Sequence, residues 1–244
     1  MDNLNRRKGQ IPKDIIIKMR DNFEFPKMTD CEELIIEKQS LERFKSFRLK
    51  KKITMASYTH IKKFGNIMVD LETLSTHTNA SIIEIVAVEF NKETGEIGHI
   101  FQQSIDASEW GENNRHVDGN TLLWWMEQDK SLMAKYKEHN GKLHTVLHRF
   151  RQFYNEHTLN GNNEETVLWG NGSTMDITIL QSAYEHFKEP TPWKYWAVND
   201  VRTIVNLNPE IKKNCTFEGD KHDPVDDCRH QIKYLVETLK SIQK

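Results

Sequence analysis

Apolar positions change their period along the chain, and each change marks an element. Between Asn66 and Leu71 the apolar run Ile67-Met68-Val69 is short and continuous, which reads as a strand. Ile82 to Phe90 is β-branched and largely apolar, as a strand buried on both faces is. Asn91 to Gly95 carries turn chemistry, and Ile97 to Ile105 returns as a third strand. Three strands joined by short turns predict an antiparallel meander.

Farther on the period becomes helical. Asp118 or Asn120 caps a helix through Leu122, Leu123, Trp124, Trp125 and Met126, and a short second helix spans about Ser131 to Glu138. Leu143, Val146, Leu147, Phe150, Phe153 and Tyr154 keep i, i+3, i+4, i+7 spacing, the clearest amphipathic helix in the chain. After the polar loop Asn160 to Glu165, Thr166 to Trp169 reads as a fourth strand and Gly170 to Thr174 as the turn leaving it. Asp176 begins another helix, with Ile177, Leu180, Ala183, Tyr184 and Phe187 on its inner side. Pro224 suits the first turn of a last helix whose stripe is Val225, Cys228, Ile232, Leu235, Val236 and Leu239. Strands alternating with helices after a meander predict an α/β domain with a mixed, helix-covered sheet.

The first 63 residues read as a separate piece, giving an expected division into a basic helical extension, 1–63, and a main domain, 64–244. Thr29-Asp30 with Glu32 and Glu33 resembles a capping box, and Leu34, Leu41, Phe44 and Phe47 recur at helical spacing up to the basic run 48–52. Met55-Ala56-Ser57 after that run has the form of a translation start. Charge separates the two pieces: 16 Lys and Arg against 9 Asp and Glu up to Lys63 give +7, and 18 against 27 thereafter give −9. Such an arm is compatible with contact to nucleic-acid phosphate, with a solvated helix, or with a docking arm for a protein partner through residues 29–52.

Composition narrows the class. With 37% hydrophobic residues and no apolar run near the roughly 20 residues that span a bilayer, no membrane partner is expected. The amino terminus lacks a secretory apolar core, so a cytoplasmic location is expected. Cys31, Cys215 and Cys228 are widely spaced and include no CxxC pair, which suggests neither a disulfide framework nor a thiolate zinc site.

Candidate chemistry begins at Asp70-Leu71-Glu72-Thr73. Residues two apart on a strand share a face, so Asp70 and Glu72 present two carboxylates side by side. The bland reading is a strand end facing water; the chemical one is a divalent cation, since hard cations such as Mg²⁺ take carboxylate oxygens. Asp176 at a helix start and Asp227 in the last helix add two carboxylates, and His222 lies just before that helix. If the sheet brings these ends together, they build a site for two ions roughly 4 Å apart, suited to in-line displacement at phosphorus. His222 is then placed to take a proton near neutral pH.

The ordered set Asp70-x-Glu72-Thr73, Trp124-Trp125, Trp169-Gly170-Asn171-Gly172-Ser173-Thr174-Met175-Asp176, Trp196 with Asp200-Val201-Arg202-Thr203, and His222-x₄-Asp227 resembles the DEDDh branch of the DnaQ-like 3′ to 5′ exonucleases. Within that branch it is most similar to phage exonuclease A and its exoribonuclease-like relatives. The resemblance spans about residues 66 to 240 and implies a ribonuclease H-like fold, a five-stranded mixed sheet flanked by helices, after the amino-terminal helical extension. It implies that Asp70 bridges two Mg²⁺ or Mn²⁺ ions, that Glu72 and Asp227 share the water-activating one, that Asp176 serves the other, and that His222 is the general base. The His-x₄-Asp spacing selects Asp227 over Asp226, and Met175 departs from the aromatic residue usual before the Asp. Thr73, Leu74, Trp124, Trp125 and Arg202 are the expected substrate contacts, although only one of the two adjacent tryptophans can face the core.

The expected activity is metal-dependent hydrolysis from the 3′ end of single-stranded nucleic acid, releasing nucleoside monophosphates, with DNA slightly favoured. An RNA-trimming exoribonuclease and a polymerase-associated proofreading subunit are the enzymatic alternatives, and a catalytically silent nucleic-acid-binding module is the other. If the protein is phage-encoded, the location becomes the host cytoplasm.

Overall fold

A computed structural model describes residues 63–128, 133–134, 136, 141–158, 165–172, 174–220 and 222–243. The predicted basic helix, the docking arm 29–52 and Met55 lie outside the described residues, as does most of the predicted helix Ser131 to Glu138.

Among the described residues five strands form one sheet: β1 (Asn66–Thr73), β2 (Ile82–Phe90), β3 (Ile97–Ser104), β4 (Val167–Gly170) and β5 (Val198–Asp200), in spatial order β3-β2-β1-β4-β5. β1, β2 and β3 pair antiparallel as the expected meander, whereas β4 pairs parallel to β1 and β5 parallel to β4. The helices among the described residues are α1 (Gly119–Glu127), α2 (Leu143–Glu156), α3 (Asp176–His186), α4 (Val201–Val205), α5 (Pro209–Asn214) and α6 (Pro224–Ile242). β5 has three residues and no apolar run of its own, and α4 and α5 are too short for helical periodicity to mark them.

The alternation of side chains along β1 divides the core. Ile67, Val69 and Leu71 join the α2 and α3 side with Phe150, Tyr154, Leu180 and Tyr184, while Met68 joins the α6 side with Val225, Cys228, Ile232 and Leu235. Every residue of β2 is buried, as its β-branched run predicts. Two buried tyrosines satisfy their hydroxyls on main-chain carbonyls, Tyr154 donating to Thr166 O at 3.1 Å and Tyr184 to Leu147 O at 2.6 Å. Arg115 ties the Thr78–Ala80 segment to α3 by donating to Ala80 O, Ser182 Oγ and Ile179 O. Among the described residues no helix is long and apolar enough to cross a membrane.

Candidate active site

The same alternation that buries Met68 on the α6 side carries Asp70 and Glu72 to that side, where β1 ends. α6 meets them there with Asp227 and, one turn later, Gln231. One carboxylate oxygen from each of Asp70, Glu72 and Asp227 lies within 4.8 Å of the others. Gln231 Nε2 donates to Asp70 Oδ1 at 3.0 Å. The fourth carboxylate comes from the opposite layer. Parallel pairing places the end of β4 beside Val69, and the turn after Gly170 returns the chain so that α3 starts with Asp176, whose Oδ1 accepts the Leu71 N–H at 3.3 Å. Gly172 has φ +146°, a backbone shape side chains rarely adopt, and the Arg202 guanidinium carbon sits 3.6 Å from where its Cβ would be.

Crowded carboxylates resist ionisation. Burial holds the Asp70 carboxyl well above the usual range, and the charges of Asp176 and Glu72 raise it further, whereas the Gln231 bond lowers it. Burial lifts Asp176 to about 6 against the pull of the Leu71 N–H and the Arg202 charge. Asp227 is raised by burial and drawn back by His222. Such a cluster calls for a cation. The fit is good: the donors are all oxygen, as hard divalent ions prefer, and two buried amide oxygens have no hydrogen-bond partner among the described residues, Gln231 Oε1 on the amide that bonds Asp70 and Asn171 Oδ1 in the residue whose backbone N–H bonds Asp176.

Asp226 is turned elsewhere. It accepts the Asp220 N–H at 3.0 Å and pairs with Arg229, so its neighbour Asp227 alone faces β1. His222 stands before α6 with φ +66°, a left-handed conformation that costs a non-glycine residue about 1–2 kcal/mol. Its ring makes a T-shaped contact with Trp124, centroids 5.1 Å apart. Strain retained at a site rimmed by carboxylates is the kind found where a side chain must be aimed.

The predicted substrate contacts separate into two groups. Trp124 is 40% exposed beside His222, and Arg202 is exposed on α4. Trp125 is buried, its indole N–H donating to Thr73 O at 3.0 Å, so one tryptophan of the pair faces the core and the other the site. Thr73 spends its hydroxyl on Ser75 O, and Leu74 is 1% exposed in a cluster with Ile83, Trp125 and Tyr136. The Met175 position, departing from an aromatic, packs partly buried against the α3 side of the core.

Two neighbours escaped the sequence reading. Gln231 is an amide in a helical stripe and carries no signal without the fold. Glu84 had one: a charge inside the apolar run of β2 must find partners if buried. It lies directly across from Glu72 in the β1–β2 register, 1% exposed, accepting from Tyr136 Oη at 2.8 Å and Gln102 Nε2 at 3.0 Å. Burial and the Glu84 charge push the Tyr136 hydroxyl above its ordinary range, so it stays a donor.

The mixed β3-β2-β1-β4-β5 sheet flanked by helices, with Asp70, Glu72 and Asp227 clustered where β1 ends, is a ribonuclease H-like fold of the kind that solved DEDDh exonucleases have. Residues 65–239 match the 3′-5′ exoribonuclease Rv2179c-like domain, and the chain belongs to that family of 3′-5′ exonucleases. Among solved structures, the nuclease domain of 3′hExo, a DEDDh family member bound to rAMP, superposes with a TM-score of 0.55 at 16% identity, covering 72% of this chain and 92% of that one. A full-length 3′-exonuclease gives 0.53 at 15% identity, covering 74% and 84%. Product-bound exonuclease I gives 0.50 at 12% identity, covering 72% of this chain and 43% of that one. At these identities the likeness is one of fold. A comparison with curated proteins finds no match.

Proposed function

We propose that the protein removes nucleoside monophosphates from the 3′ end of single-stranded nucleic acid by hydrolysis, with Asp70, Glu72, Asp176 and Asp227 holding two divalent ions and His222 acting as general base. The observation that carries this reading is the meeting of Asp70, Glu72 and Asp227 oxygens within 4.8 Å, with Asp176 anchored to the adjoining Leu71 N–H. Divalent ions in such a site supply Lewis-acid polarisation and offset the charge that develops on phosphate oxygens. The protein's own groups do the rest. His222 takes the proton of the attacking water through an imidazole nitrogen, and its T-shaped contact with Trp124 fixes the plane of that ring. The exposed face of Trp124 stacks on the terminal base, while Arg202 draws the phosphate toward Asp176. Thr73 and Leu74 act as the wall behind the terminal nucleotide chiefly by seating Trp125, which orients its neighbour.

The sugar remains the open element of specificity, and here the family description, an exoribonuclease, favours RNA over the DNA expected from the sequence. The rAMP held by the 3′hExo nuclease domain supports the same choice. Mg²⁺ or Mn²⁺ fits the all-oxygen donor set. The basic piece 1–63 is proposed as a separate extension to the nuclease domain 64–244. Single-stranded RNA and DNA of one sequence, each labelled at the 3′ end and compared with duplexes in Mg²⁺ and in Mn²⁺, test the proposal. RNA consumed faster than DNA supports it; equal rates remove the sugar preference, and the absence of 3′ mononucleotide release from any of them overturns the reading.

A further inference from the structure

A second cluster of ligating side chains lies apart from the carboxylates. In the β1–β2 register Glu89 pairs with Ile67 and Val86 with Asp70, so Glu89 is three residues, roughly 10 Å, from the nuclease site along the strand. It also shares its side of the sheet with Ala87 and Ile85, which pack toward α2 and α3, not α6. Its carboxylate is fully buried. Oε1 accepts the Phe64 N–H at 3.0 Å, and Oε2 accepts the His99 N–H at 3.3 Å and lies 3.0 Å from His99 Nδ1. His157, the buried residue that ends α2, completes the group: one donor atom from each of Glu89, His99 and His157 lies within 4.8 Å of the others.

Four local features prepare these residues for a metal. His157 Nδ1 is 2.7 Å from Phe153 O, and a carbonyl can only accept, so Nδ1 carries a hydrogen and Nε2 is the nitrogen left to ligate. That is the orientation device common to zinc-binding histidines. The β2–β3 register slips between Val88 and Phe90, so Gly98 and His99 together oppose Glu89, a bulge that turns the imidazole toward the carboxylate. A Cβ at Gly98 would sit 2.6 Å from Glu89 Oε2, so only glycine leaves room for the carboxylate there. Finally, the site lies at the carboxyl end of the 14-residue α2, where the helix dipole favours a cation.

We infer that Glu89, His99 and His157 form a Zn²⁺ site, distinct from the nuclease centre, that ties the β2–β3 hairpin to the end of α2. Two imidazoles and one carboxylate are a zinc donor set, with the fourth position left to water. Donors on a tetrahedral ion stand about 3.3 Å apart at zinc bond lengths. The 3.0 Å Glu89–His99 pair already meets that, and with all three donors within 4.8 Å of one another small side-chain shifts close the set on one ion.

The test measures zinc in the full chain carrying Asp70→Asn and Asp227→Asn, so that the nuclease carboxylates bind less of it. The protein is stripped with a chelator, dialysed against Zn²⁺ in excess Mg²⁺, and compared with the same protein also carrying His99→Gln or His99→Ala, substitutions at a partly exposed position. One additional zinc per chain is expected when His99 is present, with a melting temperature raised by several degrees. Co²⁺ in place of Zn²⁺ should give the strong visible absorption of a tetrahedral site, lost in both His99 variants. Equal zinc content with and without His99, or no zinc in either, overturns the proposal and leaves a Glu89–His99 hydrogen bond beside a ring contact with His157.

Discussion

Gln231 Nε2 donates to Asp70 Oδ1 at 3.0 Å, a bond that fixes the central carboxylate of β1 from α6 across 161 positions of sequence. It leaves Asp70 one oxygen free and lowers a pKa that burial raises, so it favours the charged form that binds a cation. Gln231→Leu should therefore weaken metal affinity by about 10–100-fold, the usual effect of losing a hydrogen bond to a ligand. Turnover against Mg²⁺ concentration measures this, and activity should recover as Mg²⁺ is raised; an unchanged Mg²⁺ dependence would refute the positioning role.

His222→Asn separates proton transfer from folding. Asparagine tolerates the left-handed backbone that His222 adopts, so the turn before α6 should survive. On the proposed mechanism the substitution removes the proton acceptor, and kcat should fall by about 10²–10⁴-fold, with the Mg²⁺ requirement and melting temperature preserved. A kcat equal to that of the wild type removes His222 from the proton transfer.

Trp124 and Trp125 should fail in different ways. Trp124→Ala removes the exposed ring proposed to stack on the terminal base, a contact worth about 1–3 kcal/mol per base, so KM for a single-stranded oligonucleotide should rise about 5–150-fold without loss of stability. Trp125→Ala empties a buried site and breaks the bond to Thr73 O, which should cost about 3–5 kcal/mol in denaturant unfolding. Similar behaviour of the two variants would contradict the division of the pair into core and site.

Acidity should affect the metal-free protein in an unusual direction. Asp176 is raised to about 6, and Asp70 well above its ordinary value, so over the pH range above the ordinary carboxylate value the folded state binds more protons than the unfolded one. Stability is then highest when these groups are protonated and declines as pH rises from the ordinary carboxylate value through about 6. Melting curves in a chelator should show that decline, Mg²⁺ should flatten it, and Asp70→Asn should raise the melting temperature of the metal-free protein. A melting temperature that rises with pH over that range in the chelator would contradict the crowding of these groups.

Much of this site was legible because its residues obey simple periods. Period two put Asp70 and Glu72 on one face, and the helix start at Asp176 and the turn into α6 marked the other positions. What the chain does not display is proximity. Nothing near Gln231 says that an amide one turn past Asp227 reaches β1, because that contact depends on how α6 crosses the sheet. Glu84 and Glu89 were hidden in the opposite manner, as two charges inside a run read for its apolar character. Their partners, Tyr136 and Gln102 for one and Phe64, His99 and His157 for the other, are brought by strand pairing and by the end of α2. β5 eluded the pattern because three residues cannot show alternation.

The central claim is that four carboxylates converge to hold divalent ions for hydrolysis at a 3′ end. Its most direct measurement is the release of mononucleotides from a 3′-labelled single-stranded RNA by the wild-type protein and by Asp70→Ala, each in Mg²⁺ and in chelator. Stepwise loss of 3′ nucleotides only by the wild type and only with Mg²⁺ is the predicted result. Release that persists in Asp70→Ala, or in chelator, would contradict it.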